Sequence, residues 1–470
     1  MFLFYDFETS SRELLGQILS YAFVLTDTNL DPLDSLTGKI KLNRTQCPEV
    51  QAILTNKINI QNLQQTGTPE YKAAEIIFNF INTLIQSHGQ ITLVGFNSNN
   101  FDLGFLRNLL VRYGYNPYFN GKIKNIDILH WIQNIAFYNE DNFPWVLTEN
   151  DNKRYYSFKL EDITQASSLL MNEQSHDAFE DVILTIQLVS YFEQKFNQRF
   201  IEFNPILLPE DTHSNTIIKQ RYRHFPTDDS NPEKYIYRYF YTLILQPKSL
   251  LMINLEKLKE LLITHNNNWE SINETDKLNC VQYINNNKHF FVGESCSTTE
   301  SESFQTIINM IKNDTFFNSI QQSSSHYFQL IKKEWDIEYQ IHEIGFDHHI
   351  STLNSLKNNL FKNPENYPNF LQELLTNRKT KQDNYLIQLF NRLYLNISEN
   401  PDPTLLNRYL QPRYITKAMY RNQEEATSFE EQQIELEKVL ETCTNEHDIT
   451  ILNALKEYYS LFNKQLTTTA

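Results

Sequence analysis

Residues 2–9 read Phe-Leu-Phe-Tyr-Asp-Phe-Glu-Thr, an apolar and aromatic run that ends in two acids. Runs of this kind form buried strands. Asp6 and Glu8 are two residues apart, so their side chains project from the same face of the extended chain. Carboxylates that share a small, poorly hydrated space repel one another, and a bound cation removes that penalty. The stretch therefore predicts a cation site at the end of a buried strand.

A third acid follows a second predicted strand. Residues 91–97 form an apolar run, and the loop after it presents Asp102. The amphipathic pattern of residues 103–113 then predicts a helix. Asp102 at its start would either cap the helix or bind a metal ion.

The remaining members of the set lie near residue 180. His176 and Asp181 are close to the start of a helix predicted over 178–192, and they come near each other only if the helix begins between them. Each acid taken singly has a simpler structural explanation, but the ordered set of Asp6, Glu8, Asp102, His176 and Asp181 favours catalysis. Carboxylates are the ligands that Mg²⁺ and Mn²⁺ prefer, so the set predicts a two-metal site that cuts phosphodiesters. A histidine titrates near neutral pH and can act as the general base.

These motifs resemble those of the DEDDh exonuclease superfamily, which carries Asp-x-Glu, Asn-x-x-x-Phe-Asp and His-x-x-x-x-Asp. The three patterns stand here at residues 6–8, 97–102 and 176–181. Within the superfamily, the bacterial exonuclease I family of single-strand-specific 3′→5′ deoxyribonucleases is most similar. Similarity to it is carried by residues 2–9, 47–58, 157–161 and 176–182, and more weakly by 241–262, 281–288, 383–390 and 406–409. The chain departs from that family's pattern at Ser10-Ser11, Leu103 and Lys159.

The resemblance implies an α/β fold in three parts. We expect an RNase H-like DEDDh exonuclease domain with a mixed sheet over residues 1–195. An SH3-like α+β domain would follow over 201–345, and a helical C-terminal domain over 346–470. In the first domain, residues 20–25 are predicted to pair with the first strand, and residues 38–42 to form the third strand.

The resemblance also implies an activity and a set of site residues. It implies 3′→5′ degradation of single-stranded DNA to 5′-mononucleotides in repair or recombination. Two Mg²⁺ ions, or Mn²⁺ in their place, would be held by Asp6, Glu8, Asp102 and Asp181. Glu8, Leu54 and Lys159 stand where the family holds its substrate, although Leu54 could equally be ordinary core. The implied partners are single-stranded DNA and a single-stranded-DNA-binding protein.

Composition agrees with an enzyme of this kind without proving it. The 470 residues include 40% hydrophobic and 13% aromatic residues, enough for two or three folded cores. The sequence contains no apolar run long enough for a membrane span, so we expect a cytoplasmic monomer with its four cysteines reduced.

The formal charge of −16 argues against a nucleic-acid binder that acts through bulk electrostatics. Local basic and aromatic stretches at 219–224 and 235–241 could still contact a single strand, or could be ordinary solvated strands. Two alternatives stay open at this point. One is a 3′→5′ exoribonuclease on the same scaffold, and the other is a non-catalytic nucleic-acid-binding protein with a relic site.

Overall fold

The first strands of the chain form a mixed five-stranded sheet in the order β3-β2-β1-β4-β5. In this computed structural model the described residues are 1–150, 153–170, 177–223, 234–285, 289–330, 347–379, 381–418 and 426–467. Strand β1 pairs antiparallel with β2 and parallel with β4. The strands are β1 (Phe2–Thr9), β2 (Ile18–Thr26), β3 (Pro32–Lys39), β4 (Ile91–Gly95) and β5 (Ile123–Asp127).

Strand β1 separates an apolar face from an acidic one. Leu3, Tyr5 and Phe7 are buried in a core that includes residues of β2, β4 and the helices on that side of the sheet. Asp6 and Glu8 alternate with them and therefore lie on the opposite face. The helices along this part of the chain are α1 (Val50–Thr55), α2 (Ile60–Thr66), α3 (Glu70–His88) and α4 (Asp102–Arg112).

The third strand lies earlier than the sequence predicts. It spans residues 32–39 rather than 38–42. The cause is a tight turn after β2, in which the Asp27 Oδ1 atom accepts hydrogen bonds from the backbone N–H groups of Asn29 and Asp31. This turn starts β3 soon after β2. Beyond the end of β3, the Ile40 backbone N–H still donates to the Leu19 carbonyl of β2 at 2.8 Å, and Ile40 forms an isolated bridge with Thr68.

Contacts divide the chain into two compact units. The first contains Met1–Ile126, Gln174–Gln187 and Glu334–Ala470, and the second contains Asp127–Glu173 and Leu188–Lys333. The predicted division at 1–195, 201–345 and 346–470 stays a prediction, because compactness alone does not define evolutionary domains.

In the first unit, C-terminal helices pack on α1 and α2. Their shared core contains Val50, Ile53 and Ile60 from the N-terminal side, and Ile451 and Leu455 from the C-terminal side. Hydrogen bonds join the same elements, such as Val50 N–H to Gln432 Oε1 at 2.8 Å. These C-terminal helices are α14 (Asp347–Lys362), α15 (Tyr367–Asn377), α16 (Lys381–Ile397), α17 (Pro403–Tyr414), α18 (Phe429–Thr442) and α19 (Glu446–Thr467).

The second unit is built on a six-stranded sheet in the order β12-β11-β10-β9-β13-β8. Both faces of this sheet are apolar, with Tyr241 and Ile253 in one core and Phe240 and Met252 in the other. Its elements are α5 (Ile128–Tyr138), β6 (Val146–Asn150), β7 (Lys153–Ser157), α6 (Leu160–Ala166), β8 (Ile206–Leu207), β9 (Ile217–Arg223), β10 (Tyr235–Gln246), β11 (Ser249–Asn254), α8 (Leu255–Thr264), α9 (Glu274–Asn279), β12 (Val281–Asn285), β13 (Phe291–Ser295), α10 (Thr298–Ser303), α11 (Gln305–Asn313), α12 (Thr315–Gln322) and α13 (Ser324–Leu330). Helix α7 (Ala178–Phe196) runs from the first unit into the second.

Two further observations concern membranes and cysteines. Within the described ranges, the helices lack the length and apolar character needed to cross a bilayer. All four cysteines are free, and two of them, Cys47 and Cys280, are buried.

Candidate metal centre

Three carboxylates meet at the end of β1. Asp6, Glu8 and Asp181 each offer an oxygen atom, and these atoms lie within 4.8 Å of one another. Glu8 is 8% exposed and Asp181 is 6% exposed. The structure thus brings together three of the predicted site residues, although they are distant along the chain.

Strand pairing places Asp6 and Glu8 beyond the end of the neighbouring strand. Strand β4 pairs with β1 only as far as Phe4, opposite Val94, so the second half of β1 is free of β4 on that side. A β-bulge between Glu8 and Thr9 then redirects the chain. Bulges of this kind often re-aim side chains next to active sites.

Asp102 reaches the same region through a tight turn after β4. Asn97 adopts a left-handed conformation with φ of 57°, which asparagine tolerates better than most residues. A Cβ atom on Gly95 would come within 2.6 Å of the Ser98 Cβ atom, so a glycine is needed for the turn to pack on the strand end. Helix α4 then begins at Asp102, which is 4% exposed. Phe101 occupies the cap position, so Asp102 is not the helix cap that one interpretation of the sequence allowed.

Asp181 is set by the start of α7. The helix begins at Ala178, and Asp177 caps it by accepting a hydrogen bond from the Phe179 backbone N–H at 3.0 Å. The first turn of the helix then directs Asp181 toward β1, where it joins Asp6 and Glu8. His176 lies outside the described residues, so its predicted role as general base stays a prediction.

The carboxylates of the cluster are buried and repel one another. Burial raises the pKa of Asp6 well above its usual value, and the neighbouring Asp102, Glu8, Asp181 and Asp177 raise it further. Burial, followed by the charges of Asp181, Asp102 and Asp177, raises the pKa of Glu8 to about 8. The influence of Asp102 on both groups places its charge within electrostatic reach of Asp6 and Glu8.

The donor set fits divalent cations. Hard cations such as Mg²⁺ and Mn²⁺ bind carboxylate oxygens, and a bound cation would compensate the repulsion that raises the pKa of Asp6 and Glu8. The cluster of Asp6, Glu8 and Asp181 is therefore suited to a divalent cation, and the assignment of Asp6, Glu8, Asp102 and Asp181 as metal ligands stays a prediction.

The predicted substrate contacts lie on two separate elements. Leu54 is half-buried in α1 and packs against the core shared with the C-terminal helices. Lys159 is exposed at the cap position of α6, in the second compact unit. Each keeps its predicted role as a proposal.

Asn56 contacts the backbone near the site, a role that the sequence motifs do not indicate. The Asn56 side chain donates from Nδ2 to the Thr9 carbonyl at 2.9 Å and so holds the backbone next to the bulge. Asn56 lies directly beyond α1, within the stretch 47–58 that resembles the exonuclease I family. No local pattern in the sequence indicates that its partner is the carbonyl after Glu8.

The basic stretch at 219–224 is largely paired within the second unit. The Lys219 Nζ atom lies 3.2 Å from Glu300, and Arg221 lies 2.6 Å from Glu294 and 3.4 Å from Glu140. The side chains of Tyr222, Arg223 and His224 lie outside the description. Because the side chains of Lys219 and Arg221 form ion pairs with glutamates, we interpret this part of the stretch as an ordinary charged sheet surface.

Comparison with solved structures defines the class of fold. Exonuclease I from Methylocaldum szegediense covers 98% of this chain and 99% of its own, with a TM-score of 0.66 and 16% sequence identity. E. coli exonuclease I in complex with a dT13 oligonucleotide gives the same coverage, TM-score and identity. The chain therefore has the exonuclease I fold, with its mixed sheet and its helical content.

Sequence comparison leads to the same kind of protein. The chain is 29% identical over 199 residues to Exodeoxyribonuclease I of Buchnera aphidicola from Acyrthosiphon pisum, and 27% identical over 202 residues to that of the strain from Schizaphis graminum. These matches cover 41% of this chain and span less than half the length of the two relatives, 46% and 39%. No known protein-family model matches the chain. The resemblance to exonuclease I that the motifs indicate is confirmed.

Proposed function

We propose that this protein is a 3′→5′ exonuclease that degrades single-stranded DNA to 5′-mononucleotides in DNA repair or recombination. The observation that carries the proposal is the cluster of Asp6, Glu8 and Asp181 at the end of β1, with Asp102 in electrostatic reach, within the exonuclease I fold. Relatives named Exodeoxyribonuclease I and exonuclease I structures solved with oligonucleotides support the substrate.

The four carboxylates would hold two Mg²⁺ ions, or Mn²⁺ in their place. Asp6, Glu8 and Asp181 would supply clustered oxygen ligands, and Asp102 would supply a further carboxylate. When bound, such ions acidify a water molecule and neutralise charge on the scissile phosphate and the leaving 3′-oxygen. A zinc-bound structure of the E. coli exonuclease I–single-stranded DNA complex supports metal binding in this fold.

The remaining site residues would bind the strand and move a proton. His176 would take the proton from the attacking water, because an imidazole with an ordinary pKa of about 6.5 is mostly neutral at physiological pH. Leu54 would pack against the terminal base and Lys159 would meet a phosphate.

We also propose roles for the rest of the molecule. The six-stranded unit would be the SH3-like domain, and residues 346–470 would be the helical C-terminal domain. A single-stranded-DNA-binding protein would be the partner of a monomeric, cytoplasmic enzyme, and the free cysteines agree with a reducing compartment.

A labelled-substrate assay tests the activity and separates it from the alternatives. A 5′-labelled 30-mer is offered as single-stranded DNA, as duplex DNA and as RNA, with Mg²⁺ and with EDTA. We expect a ladder that shortens from the 3′ end, on single-stranded DNA and only with Mg²⁺. A ladder on RNA alone would replace the substrate with RNA and keep the site. No cleavage of any polymer would favour the relic-site alternative.

Asp6→Asn tests the site itself. The variant should lose metal-dependent cleavage by a factor of about 10³ or more, because an amide replaces one of the clustered carboxylate ligands. Asp34→Asn is the matched control, since it makes the same chemical change at an exposed position of β3 in the same sheet. Wild-type rates for Asp6→Asn would refute the assignment.

A further inference from the structure

Arg112 is a buried arginine at the end of α4 that holds the loop after the Asp6–Glu8 strand. It is 3% exposed. Its Nη1 atom donates to the Gly16 carbonyl at 3.0 Å, and Nη2 donates to the Leu14 carbonyl at 3.2 Å. Nη2 also donates to the Leu15 carbonyl at 3.4 Å, so the guanidinium group binds three consecutive carbonyls of the loop at 10–17.

The loop is itself a closed unit that continues β1. The Ser10 backbone N–H donates to the Gln17 carbonyl at 2.8 Å, and the Gln17 backbone N–H donates to the Ser10 Oγ atom at 2.9 Å. Ser10 is two residues beyond Glu8. A shift of this loop would therefore be transmitted directly to the end of β1 and to its carboxylates.

Two further contacts fix the same loop to α4. The Asn108 Nδ2 atom donates to the Leu14 carbonyl at 3.0 Å. A Cβ atom on Gly104 would come within 2.7 Å of the Leu14 side chain, so the loop rests directly on the helix backbone. Helix α4 begins at Asp102 and ends at Arg112. One rigid helix therefore carries Asp102 at one end and, at the other, the arginine that binds the loop.

Glu70 completes the arrangement as the buried counter-charge. It is 1% exposed, accepts a hydrogen bond from Tyr113 Oη at 2.6 Å, and lies 3.6 Å from Arg112 Nη1. Arg392 of α16 approaches the same carboxylate at 3.9 Å. Arg112 and Arg392 are both buried and both approach Glu70. Among the described contacts of these two arginines, those with the loop belong to Arg112.

We propose that Arg112 is a positioning residue, which fixes the separation between Asp102 on α4 and the Asp6–Glu8 pair on β1. The Arg112 guanidinium group donates hydrogen bonds to the Leu14 and Gly16 carbonyls, and the Glu70 carboxylate stabilises the positive charge of Arg112. The inference rests on the proposed function only in treating these acids as metal ligands. Lysine cannot replace the fork, because a single ammonium cannot reach several carbonyls in a fixed plane.

The test compares Arg112→Lys with Arg392→Lys, using the full-length protein, Mn²⁺ titration by calorimetry and initial rates on a single-stranded 30-mer. For Arg112→Lys we expect Mn²⁺ affinity and kcat to fall about 10- to 100-fold, as for other groups that orient metal ligands. The KM for the oligonucleotide should stay within about twofold, since no contact to the strand is removed. Arg392→Lys should keep both quantities within about twofold of wild type.

Two additional variants keep the inference falsifiable. If Arg112→Lys does not fold, Asn108→Ala replaces it, because it removes one contact to the same loop. In an Asp102→Asn background, the loss of Mn²⁺ affinity caused by Arg112→Lys should shrink, since the ligand that it positions is gone.

Unchanged Mn²⁺ affinity in Arg112→Lys, or an equal loss in Arg392→Lys, would overturn the inference. A wild-type protein that binds Mn²⁺ but cleaves no polymer would instead refute the proposed function. In that case the titrations would still decide the role of Arg112.

Discussion

At the scale of the residue, Glu8 links the chemistry of the site to the stability of the protein. Its pKa lies near 8 in the metal-free protein, against an ordinary value of 4.5, because it is buried among other carboxylates. A carboxyl group with a raised folded-state pKa contributes stability that is complete below about pH 4.5 and is lost as the pH rises toward 8. Asp6, whose pKa is raised for the same reasons, acts in the same direction.

We therefore predict that the metal-free protein becomes less stable across this pH window. In EDTA, the free energy of unfolding should fall by up to about 1.4 kcal/mol per pH unit for each such group. Glu8→Gln should flatten the profile, and Mg²⁺ at pH 8 should restore stability to wild type but much less to the variant. Urea denaturation between pH 5 and pH 8 measures this. A profile that is the same for wild type and Glu8→Gln would contradict the raised pKa.

At the scale of the element, Asn56 shows how a single side-chain contact supports the end of β1, next to the carboxylate cluster. We predict that Asn56→Ala lowers kcat by about tenfold, because the Thr9 carbonyl next to the bulge loses its partner. Its cost in stability should be about 1 kcal/mol. Asn59→Ala is the matched control, since the Asn59 side chain caps α2 by accepting from the Asn62 backbone N–H at 3.1 Å and has no described contact with β1.

Asn59→Ala should lose a similar amount of stability, about 1 kcal/mol, and keep its rate. Thermal unfolding and initial rates of the two variants separate the two effects. Equal rates in Asn56→Ala and Asn59→Ala would show that the contact with Thr9 is structural only.

The same scale shows which elements a sequence can predict. Strands β1 and β4 and helix α4 lie where the patterns place them, because each combines a clear apolar pattern with a definite start. The stretch at 295–303, which its serine and threonine content indicates as a loop, contains helix α10. A capping box between Ser297 and Glu300 starts that helix, and composition does not register such a local hydrogen-bond pair.

The acidic residues of the candidate site can be predicted from the sequence, whereas the residues that position them cannot. Asp6, Glu8, Asp102 and Asp181 carry chemistry in their own side chains, so their order and contexts are visible in the sequence. Asn56 and Arg112 act through backbone carbonyls that lie 47 and 96 residues away along the chain. Only the folded chain identifies those partners.

At the scale of the whole molecule, the C-terminal helices complete the core that they share with α1 and α2. Ile451 of α19 is fully buried in the cluster that contains Val50 and Ile53 of α1, whereas Ile434 of α18 is 64% exposed. The two isoleucines make a matched pair, because the same truncation removes the same atoms from opposite environments.

We predict that Ile451→Ala lowers the free energy of unfolding by about 2–5 kcal/mol, since it leaves a cavity in a packed core. Ile434→Ala should change it by less than about 0.5 kcal/mol. Denaturant unfolding measures both. Because α1 joins this core to Asn56 and the bulge after Glu8, Ile451→Ala should also lose activity at a lower temperature than Ile434→Ala, in step with its unfolding. An Ile451→Ala protein as stable as Ile434→Ala would show that the N-terminal sheet and its helices form their core without the C-terminal helices.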